Sequence, residues 1–132
     1  MQQTGPIVEI KVAVGSIIEE VLQKDNKDIP TPVNAVALID TGATGTVIQE
    51  NIAKSLNLNP VGVALINTPS STNVQCYEYL VRLLFPNNVI VETVAITASL
   101  QEQHIQCLIG RDVLCHGVFI YTGYINTFTL SF

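Results

Sequence analysis

The sequence predicts an all-β fold, either a barrel or a sandwich, with one short helix. Apolar residues alternate with polar ones in several stretches, as at Val8, Ile10, Val12 and Val14. Gly, Pro and Asn residues that favour turns interrupt these stretches at short intervals. Only one stretch has helical spacing, so strands account for most of the predicted structure.

The composition indicates a single small domain with few charges. The chain has 132 residues, of which 48% are hydrophobic and 13% are charged, against about 25% charged in an average domain. We expect residues 1–132 to form one domain. Polar residues interrupt the long charge-free stretches, so none is typical of a transmembrane helix. Burial in a core or a subunit interface would explain the low charge.

Several functional classes are disfavoured. The net charge is −5, and the six basic residues are scattered, which argues against binding to nucleic acid or a membrane surface. The three cysteines form no CxxC pair and no zinc-like spacing with histidine, so we expect no metal and no other cofactor. The N-terminal residues do not resemble a signal peptide, which favours a cytoplasmic, intracellular protein.

The first half of the chain is predicted to contain two strands and a loop. The first strand ends at Val14, and the apolar run Val33–Ile39 forms the second. Between them, Glu20–Thr31 is the most polar segment of the chain and is interpreted as a surface loop, or as a hairpin connection.

The helical stretch follows. Its spacing predicts a helix over Gln49–Leu58, and Thr46 with Gln49 fits a capping box. Asn57–Pro60 would end this helix. The apolar residues that recur every four positions are Ile48, Ile52 and Leu56.

Beyond Pro60 the pattern returns to strands. Val61–Ile66 leads into the turn-rich tip Asn67–Asn73, and an alternating stretch from Tyr77 to Phe85 returns, which predicts a long hairpin. The later predicted elements are a strand at Val89–Ala98, a short strand at Leu108–Gly110, one or two helical turns at Arg111–His116, and a closing pair of strands at Val118–Tyr121 and Thr127–Phe132.

The strongest functional signal is Asp40-Thr41-Gly42, at the end of the second predicted strand. A carboxylate at the mouth of an apolar strand is partly removed from water, as catalytic acids often are. Gly42 has no Cβ and allows a substrate backbone to approach closely. However, Asp-Thr-Gly is also a common turn tripeptide that caps a helix or closes a loop. The tripeptide alone leaves both interpretations open.

Two further motifs decide in favour of a known family. The pattern apolar-apolar-Asp-Thr-Gly-Ala spans Leu38–Ala43, and apolar-apolar-Gly-Arg-Asp-apolar-Leu spans Leu108–Leu114. The third motif, Tyr-x-Gly followed by Phe-x-Leu-x-Phe, spans Tyr121–Phe132. In this order the sequence resembles the retropepsins, the single-lobe aspartic proteases, from about Ile7 to Phe132. The helix after the first motif is more similar to cellular and bacterial members than to viral ones.

The resemblance implies a closed β-barrel of the retropepsin type with one or two short helices, and an aspartic endopeptidase. This mechanism needs two aspartates, and the chain has one Asp-Thr-Gly. Asp112 is interpreted as a helix N-cap, whereas Asp25 and Asp28 lie in the polar loop. The resemblance therefore implies a symmetric homodimer in which Asp40 of each chain contributes to one site.

The resemblance also assigns the site. Asp40, Thr41 and Gly42 would be catalytic, and an extended polypeptide would be the substrate. The hairpin tip would act as a flap that closes over this substrate. The substrate-binding residues would be Ala43, Thr44, Val47, Ile48 and Leu108, together with Thr68, Pro69, Ser70 and Ser71 at the tip.

The sequence departs from the viral pattern in two places. Thr44 and Gly45 stand where viral members often have acidic residues, so either Arg111 finds another acceptor or Asp112 and backbone carbonyls serve. The tip is Thr-Pro-Ser-Ser-Thr rather than glycine-rich. Two alternatives follow: a non-catalytic retropepsin-like module that dimerises or binds peptides, or an unrelated β-barrel binding protein in which Asp40 caps a turn.

The end of the chain carries a separate prediction. Residues Val113–Phe132 contain no Asp, Glu, Lys or Arg. The centres of obligate dimer interfaces are depleted of charge. We therefore expect this tail to be largely buried against a symmetry mate, and trimming Thr127–Phe132 to abolish dimerisation and activity.

Overall fold

A computed structural model describes residues 5–68, 71–100 and 104–132 of the chain. The described residues form nine strands and three short helices, so the predicted all-β class is confirmed. The strands are β1 (Ile7–Val14), β2 (Val33–Ile39), β3 (Val47–Gln49), β4 (Gly62–Thr68), β5 (Ser71–Phe85), β6 (Val89–Ala98), β7 (Cys107–Ile109), β8 (Val118–Thr122) and β9 (Thr127–Ser131). The helices are α1 (Ser16–Lys24), α2 (Glu50–Ser55) and α3 (Arg111–Leu114).

Six of these strands close into a barrel, which decides between the two predicted architectures. The strand order is β1-β2-β7-β3-β6-β5, and β5 pairs with β1 again to complete the ring. Strands β2 and β7 are parallel, as are β3 and β6, whereas the other pairs in the ring are antiparallel. Strand β4 pairs with β5 outside the ring and forms the predicted hairpin.

The alternation of the sequence explains the barrel core. Val12 and Val14 of β1 are fully buried, and Val12 faces Leu83 of β5 across the ladder. Burying one such aliphatic side chain contributes about 1.5–3 kcal/mol. The largest fully buried side chains are Ile48, Leu56, Leu83, Ile109, Val12, Val14, Val81 and Val113. They come from both halves of the chain, so one core holds the barrel and the short helices together.

Helix α1 contradicts the interpretation of Glu20–Thr31 as a loop. The helix covers Ser16–Lys24, and only the residues after it are irregular. Ile18 and Leu22 lie four positions apart and are half-buried, as in an amphipathic helix, although Ile17 and Val21 of the same helix are exposed. Arg82 ties the helix to β5, because its guanidinium forms an ion pair with Glu19.

Helix α2 is shorter than the predicted Gln49–Leu58. It begins at Glu50, because Val47–Gln49 is drawn into the barrel as β3. The capping box is also wrong: Gln49 is the N-cap without a side-chain cap bond, and Thr46 bonds elsewhere. Ile52 and Leu56 are buried as the spacing predicts.

The C-terminal strands form a separate two-stranded sheet. Strands β8 and β9 are antiparallel, with Phe119 facing Leu130. Phe119, Phe128 and Leu130 pack against the barrel core, whereas Val118 and Ile120 are exposed. The uncharged tail therefore has one face on its own core and one face open.

Candidate active site

Strand β2 carries Asp40 from the barrel core to the surface. Ala37 and Ile39 are buried, and Asp40 follows directly as a half-buried residue. The backbone N–H of Asp40 donates to the carbonyl of Ile109 at 2.9 Å, so β7 holds the base of the following loop. The carboxylate thus stands at the edge of a rigid sheet.

The Asp-Thr-Gly turn fixes the carboxylate by its own backbone. The N–H of Gly42 donates to Asp40 Oδ1 at 2.9 Å, and the N–H of Ala43 donates to the Asp40 carbonyl at 3.1 Å. A Cβ at Gly42 would lie 3.2 Å from Oδ1, so a side chain there would crowd the carboxylate. No described residue donates a hydrogen bond to Oδ2 of Asp40. The N–H of Gly42 thus orients Oδ1 of Asp40, whereas Oδ2 has no hydrogen bond from a described residue.

Helix α3 supports the far side of this loop. The N–H groups of Arg111 and Asp112 donate to the carbonyls of Ala43 and Thr44 at 2.9 and 3.2 Å. Gly110 lies against the backbone of the loop, because a Cβ at this position would be 2.5 Å from the carbonyl carbon and oxygen of Gly45. The second sequence motif therefore acts as a backbone support for the first.

Asp112 has a different role from the predicted helix N-cap. Gly110 occupies the N-cap position, and the Asp112 carboxylate accepts from Thr46 Oγ1 at 2.8 Å and from Thr93 Oγ1 at 2.6 Å. Thr46 is fully buried and its hydroxyl also accepts the N–H of Gly110 at 3.2 Å. Asp112 therefore connects the end of the loop to β6. No local pattern could predict these partners, because they are 66 and 19 residues away in the sequence.

Arg111 finds its acceptor within the loop. Its Nη2 donates to Thr44 Oγ1 at 3.0 Å, and Thr44 occupies one of the positions that are often acidic in viral members. The guanidinium thus finds another acceptor, the first of the two alternatives, rather than Asp112 or a backbone carbonyl. Both Arg111 and Thr44 are exposed.

Two of the candidate subsite residues lie opposite each other on the paired strands β3 and β7. Val47 and Leu108 face each other across β3 and β7, and both are half-buried. Ile48 is fully buried in the core, so its side chain is not available to a substrate. Thr41 and Thr44 are exposed and Ala43 is half-buried. Four of the predicted binding residues therefore cluster around Asp40 with accessible surface.

Cys107, in the strand β7 below the loop, is fully buried. Burial raises the pKa of its thiol to about 12, and the neighbouring negative charge of Asp112 adds to this effect. The thiol is therefore neutral near neutral pH and serves as a small core side chain.

The predicted flap corresponds to the β4–β5 hairpin. Thr68 and Ser71 pair across it, and the N–H of Asn73 donates to Asn67 Oδ1 at 3.1 Å. Asn73 has a φ of 54°, which asparagine tolerates better than most residues. Pro69 and Ser70, predicted to contact substrate, lie outside the described residues. The hairpin itself is thus observed, but not the predicted contacts of its tip.

Among the described residues, no three or more His, Cys, Asp or Glu side chains form a group that could hold a metal ion. None of the helices that the described residues form has the length and apolar character that crossing a membrane requires.

Comparison with known sequences now identifies the family. Residues 31–116 match the profile of the family described as "gag-polyprotein putative aspartyl protease". The chain belongs to this family of retropepsin-like aspartic proteases. The match includes Asp40-Thr41-Gly42 and Gly110-Arg111-Asp112 and ends before β8. The suggested resemblance is thereby confirmed. No curated protein sequence matches the chain.

Solved structures confirm the retropepsin fold. A retropepsin-like aspartic protease from Rickettsia conorii has a TM-score of 0.51 at 14% identity, with 88% of this chain and 82% of that chain covered. The retroviral protease-like domain of Ddi1 from Leishmania major also has a TM-score of 0.51, at 11% identity, with 95% and 88% covered. At these identities the likeness concerns the fold.

A viral structure matches over a small part of its length. The foamy viral protease-reverse transcriptase, solved in complex with double-stranded DNA, has a TM-score of 0.51 at 20% identity. The match covers 83% of this chain but 15% of the viral chain. This chain therefore spans a small fraction of that protein, whereas it spans most of the bacterial and Leishmania chains.

Proposed function

We propose that this protein is an aspartic endopeptidase that acts as a symmetric homodimer, with residues 1–132 as a single protease domain. The observation that carries the proposal is the geometry of Asp40. Its carboxylate is held by the N–H of Gly42 at the end of a buried strand, with Oδ2 unbonded by any described residue. The chain has no second Asp-Thr-Gly, so the partner carboxylate would come from a second copy.

The mechanism follows from two like charges placed close together. Two carboxylates in contact cannot both ionise without a large energetic cost, so the pair retains one proton. The ionised carboxylate would take a proton from a water molecule, which attacks the scissile carbonyl. The protonated carboxylic acid would donate a hydrogen bond to the carbonyl oxygen as negative charge develops there. Thr41 would brace the two Asp-Thr-Gly turns against each other.

The surroundings of Asp40 suit an extended peptide. Gly42 and Thr44 offer backbone groups in the exposed loop, and the β4–β5 hairpin, whose strand β4 lies outside the ring, would act as the flap. An extended substrate would pair with both by main-chain hydrogen bonds. Val47 and Leu108 present half-buried aliphatic surface near the loop, which favours apolar residues beside the scissile bond. Ile48 is left out of this subsite because it is buried.

The decisive experiment measures peptide cleavage with Asp40→Asn as the matched variant. We expect cleavage of peptides with apolar residues at the scissile bond, fastest at mildly acidic pH, where the pair holds its single proton. Asn has nearly the same shape as Asp but cannot act as the base, so the rate should fall by about a thousandfold or more. Circular dichroism should show an unchanged fold. Activity that survives the substitution would contradict the proposal.

The dimer is tested by dilution. Because a monomer has half of the site, the specific activity should fall when the protein concentration drops below the dimer dissociation constant. Sedimentation over the same concentration range should show the dimer dissociating in parallel. A constant specific activity in a purely monomeric sample would contradict the shared site.

The second candidate function is a non-catalytic peptide-binding module. The hairpin tip Thr-Pro-Ser-Ser-Thr favours it, since this tip lacks the glycines of viral flaps. It would be supported by peptides that bind the dimer but are not cleaved at any pH, with unchanged affinity in Asp40→Asn.

A further inference from the structure

The guanidinium of Arg111 is held next to the loop that carries Asp40. The backbone N–H of Arg111 donates to the Ala43 carbonyl at 2.9 Å, and Nη2 donates to Thr44 Oγ1 at 3.0 Å. The side chain nevertheless remains exposed to solvent. A positive charge is therefore bonded to the loop at residues that follow the proposed catalytic carboxylate by three and four positions.

This cation has no carboxylate partner among the described residues. The ion pairs found there join Arg82 to Glu19 and Lys54 to Glu50. The adjacent carboxylate, Asp112, instead accepts hydrogen bonds from the hydroxyls of two threonines. The sequence from Thr41 to Gln49 contains no acidic residue that could substitute.

An arginine in this situation is suited to bind an external carboxylate. The guanidinium carries five N–H donors in a planar fork that matches the two oxygens of a carboxylate, and the hydroxyl of Thr44 uses one of them. In the proposed complex the substrate runs along Gly42 and Thr44, so the ligand that reaches Arg111 is part of the peptide itself.

We propose that Arg111 is a specificity-determining residue that receives a carboxylate of the substrate, a few residues from the scissile bond. The carboxylate is either an Asp or Glu side chain or the free C-terminus of the peptide. This inference rests on the proposed peptidase function, and it adds a preferred charge to the apolar residues expected beside the scissile bond.

The test compares peptides that differ by one charge. In one arm, amidated peptides carry Glu or Gln at each position from about two to four residues from the scissile bond, a span that matches the reach of an extended chain. In the other arm, shorter peptides end at these positions with a free or an amidated C-terminus. We expect the carboxylate to raise kcat/KM about fivefold at one position, the size of a partly exposed ion pair. The set of peptides that shows the effect identifies whether the carboxylate is a side chain or the free C-terminus.

Three variants assign the preference to Arg111. Arg111→Gln should reduce the ratio of kcat/KM between Glu and Gln peptides to about one, since no cation remains to pair. Thr44→Asp leaves Arg111 in place but gives it an internal carboxylate, so the ratio should also fall. Lys54→Gln is the matched control, because it removes an exposed cation from α2 and should keep both the ratio and the basal activity.

Three results would overturn the inference. The first is measurable cleavage without any preference for a carboxylate. The second is a preference that persists in Arg111→Gln. The third is a weaker dimer in Arg111→Gln with an unaltered preference, which would mean that the cation pairs with the other subunit. If no peptide is cleaved, the peptidase proposal itself fails, and fluorescence anisotropy of the labelled Glu and Gln peptides then decides: equal affinities overturn the carboxylate site as well.

Discussion

The loop at Asp40 and the C-terminal hairpin differ in how far one chain completes them. The loop is held from both sides by its own chain: β7 bonds its base through Ile109, and α3 bonds its far side through Arg111 and Asp112. The β8–β9 hairpin packs on the core with one face and exposes aliphatic side chains such as Ile120 on the other. One chain therefore holds the Asp40 loop by itself, and the hairpin presents an exposed aliphatic face that the proposed dimer would use.

This difference bears on the prediction for the uncharged tail. The tail is expected to be largely buried against a symmetry mate, and within its own chain Phe128 and Leu130 pack on the barrel. Phe132 also contacts Phe85, with ring centroids 5.5 Å apart. Trimming Thr127–Phe132 would thus damage the monomer core as well as any interface. A substitution on the exposed face separates the two effects.

The largest effect is expected where the loop meets α3. In Gly110→Ala, the new Cβ would lie 2.5 Å from the backbone of Gly45, so the loop and helix must move apart. Overpacking of this kind costs up to about 3 kcal/mol in the free energy of unfolding, which denaturant titration measures. Gly45→Ala is the matched control, since a Cβ there meets nothing within 4 Å. Equal stability of both variants would contradict the close contact that ties the two motifs together.

The next effect should appear at the hairpin and leave the monomer intact. Ile120→Lys places a charge on the exposed face of β8, where Ile120 is 60% exposed. If this face is the dimer interface, burying the charge should raise the dimer dissociation constant about a hundredfold, as at other interface hot spots. Sedimentation and the concentration dependence of cleavage measure this change.

The control for Ile120→Lys is Ile90→Lys on β6. Ile90 is 59% exposed, so the chemical change and the exposure are the same in both variants. Ile90→Lys should leave the dissociation constant unaltered. Dissociation in both variants, or in neither, would place the interface elsewhere.

A smaller loss is expected from Asp112. Asp112→Ala removes the acceptor of the Thr46 and Thr93 hydroxyls and leaves the buried Thr46 hydroxyl without this partner. We expect a loss of about 2 kcal/mol in the free energy of unfolding, and roughly half of that for Asp112→Asn, which retains one carbonyl oxygen. The loss should be the same in the monomeric Ile120→Lys background, because all of these contacts lie within one chain. A loss seen only in the dimer would contradict this.

The distance along the sequence between contacting residues explains which elements the sequence could predict. Local patterns identified β1 and β2, the β4–β5 hairpin and the β8–β9 pair, because alternation and turn residues act over a few positions. The Asp40 turn was also evident, since its hydrogen bonds connect residues two and three positions apart. By contrast, Glu20–Thr31 was interpreted as a loop from its polarity, although Ile18 and Leu22 already had helical spacing.

The remaining errors involve contacts between distant residues. Val47–Gln49 joins the barrel because β6 and β7 flank it, and this pairing overrides the helical spacing of Ile48. The bond from Arg111 to Thr44 spans 67 residues. No local pattern specifies such partners, and they appear only once the barrel has closed.

The smallest effect concerns cysteine reactivity, and it tests whether the loop region is complete without a second copy. Cys107 is buried in β7, and burial raises the pKa of its thiol to about 12, so the reactive thiolate is scarce near neutral pH. Cys115 is exposed just after α3. Iodoacetamide should therefore modify Cys115 rapidly and leave Cys107 protected, as peptide mass mapping can measure. Because every contact around Cys107 described above lies within one chain, the protection should be equal in the wild-type protein, proposed to be a dimer, and in the Ile120→Lys variant, expected to be a monomer. Rapid modification of Cys107 in that monomer would mean that the loop depends on the second copy, and the contrast between the two regions would be lost.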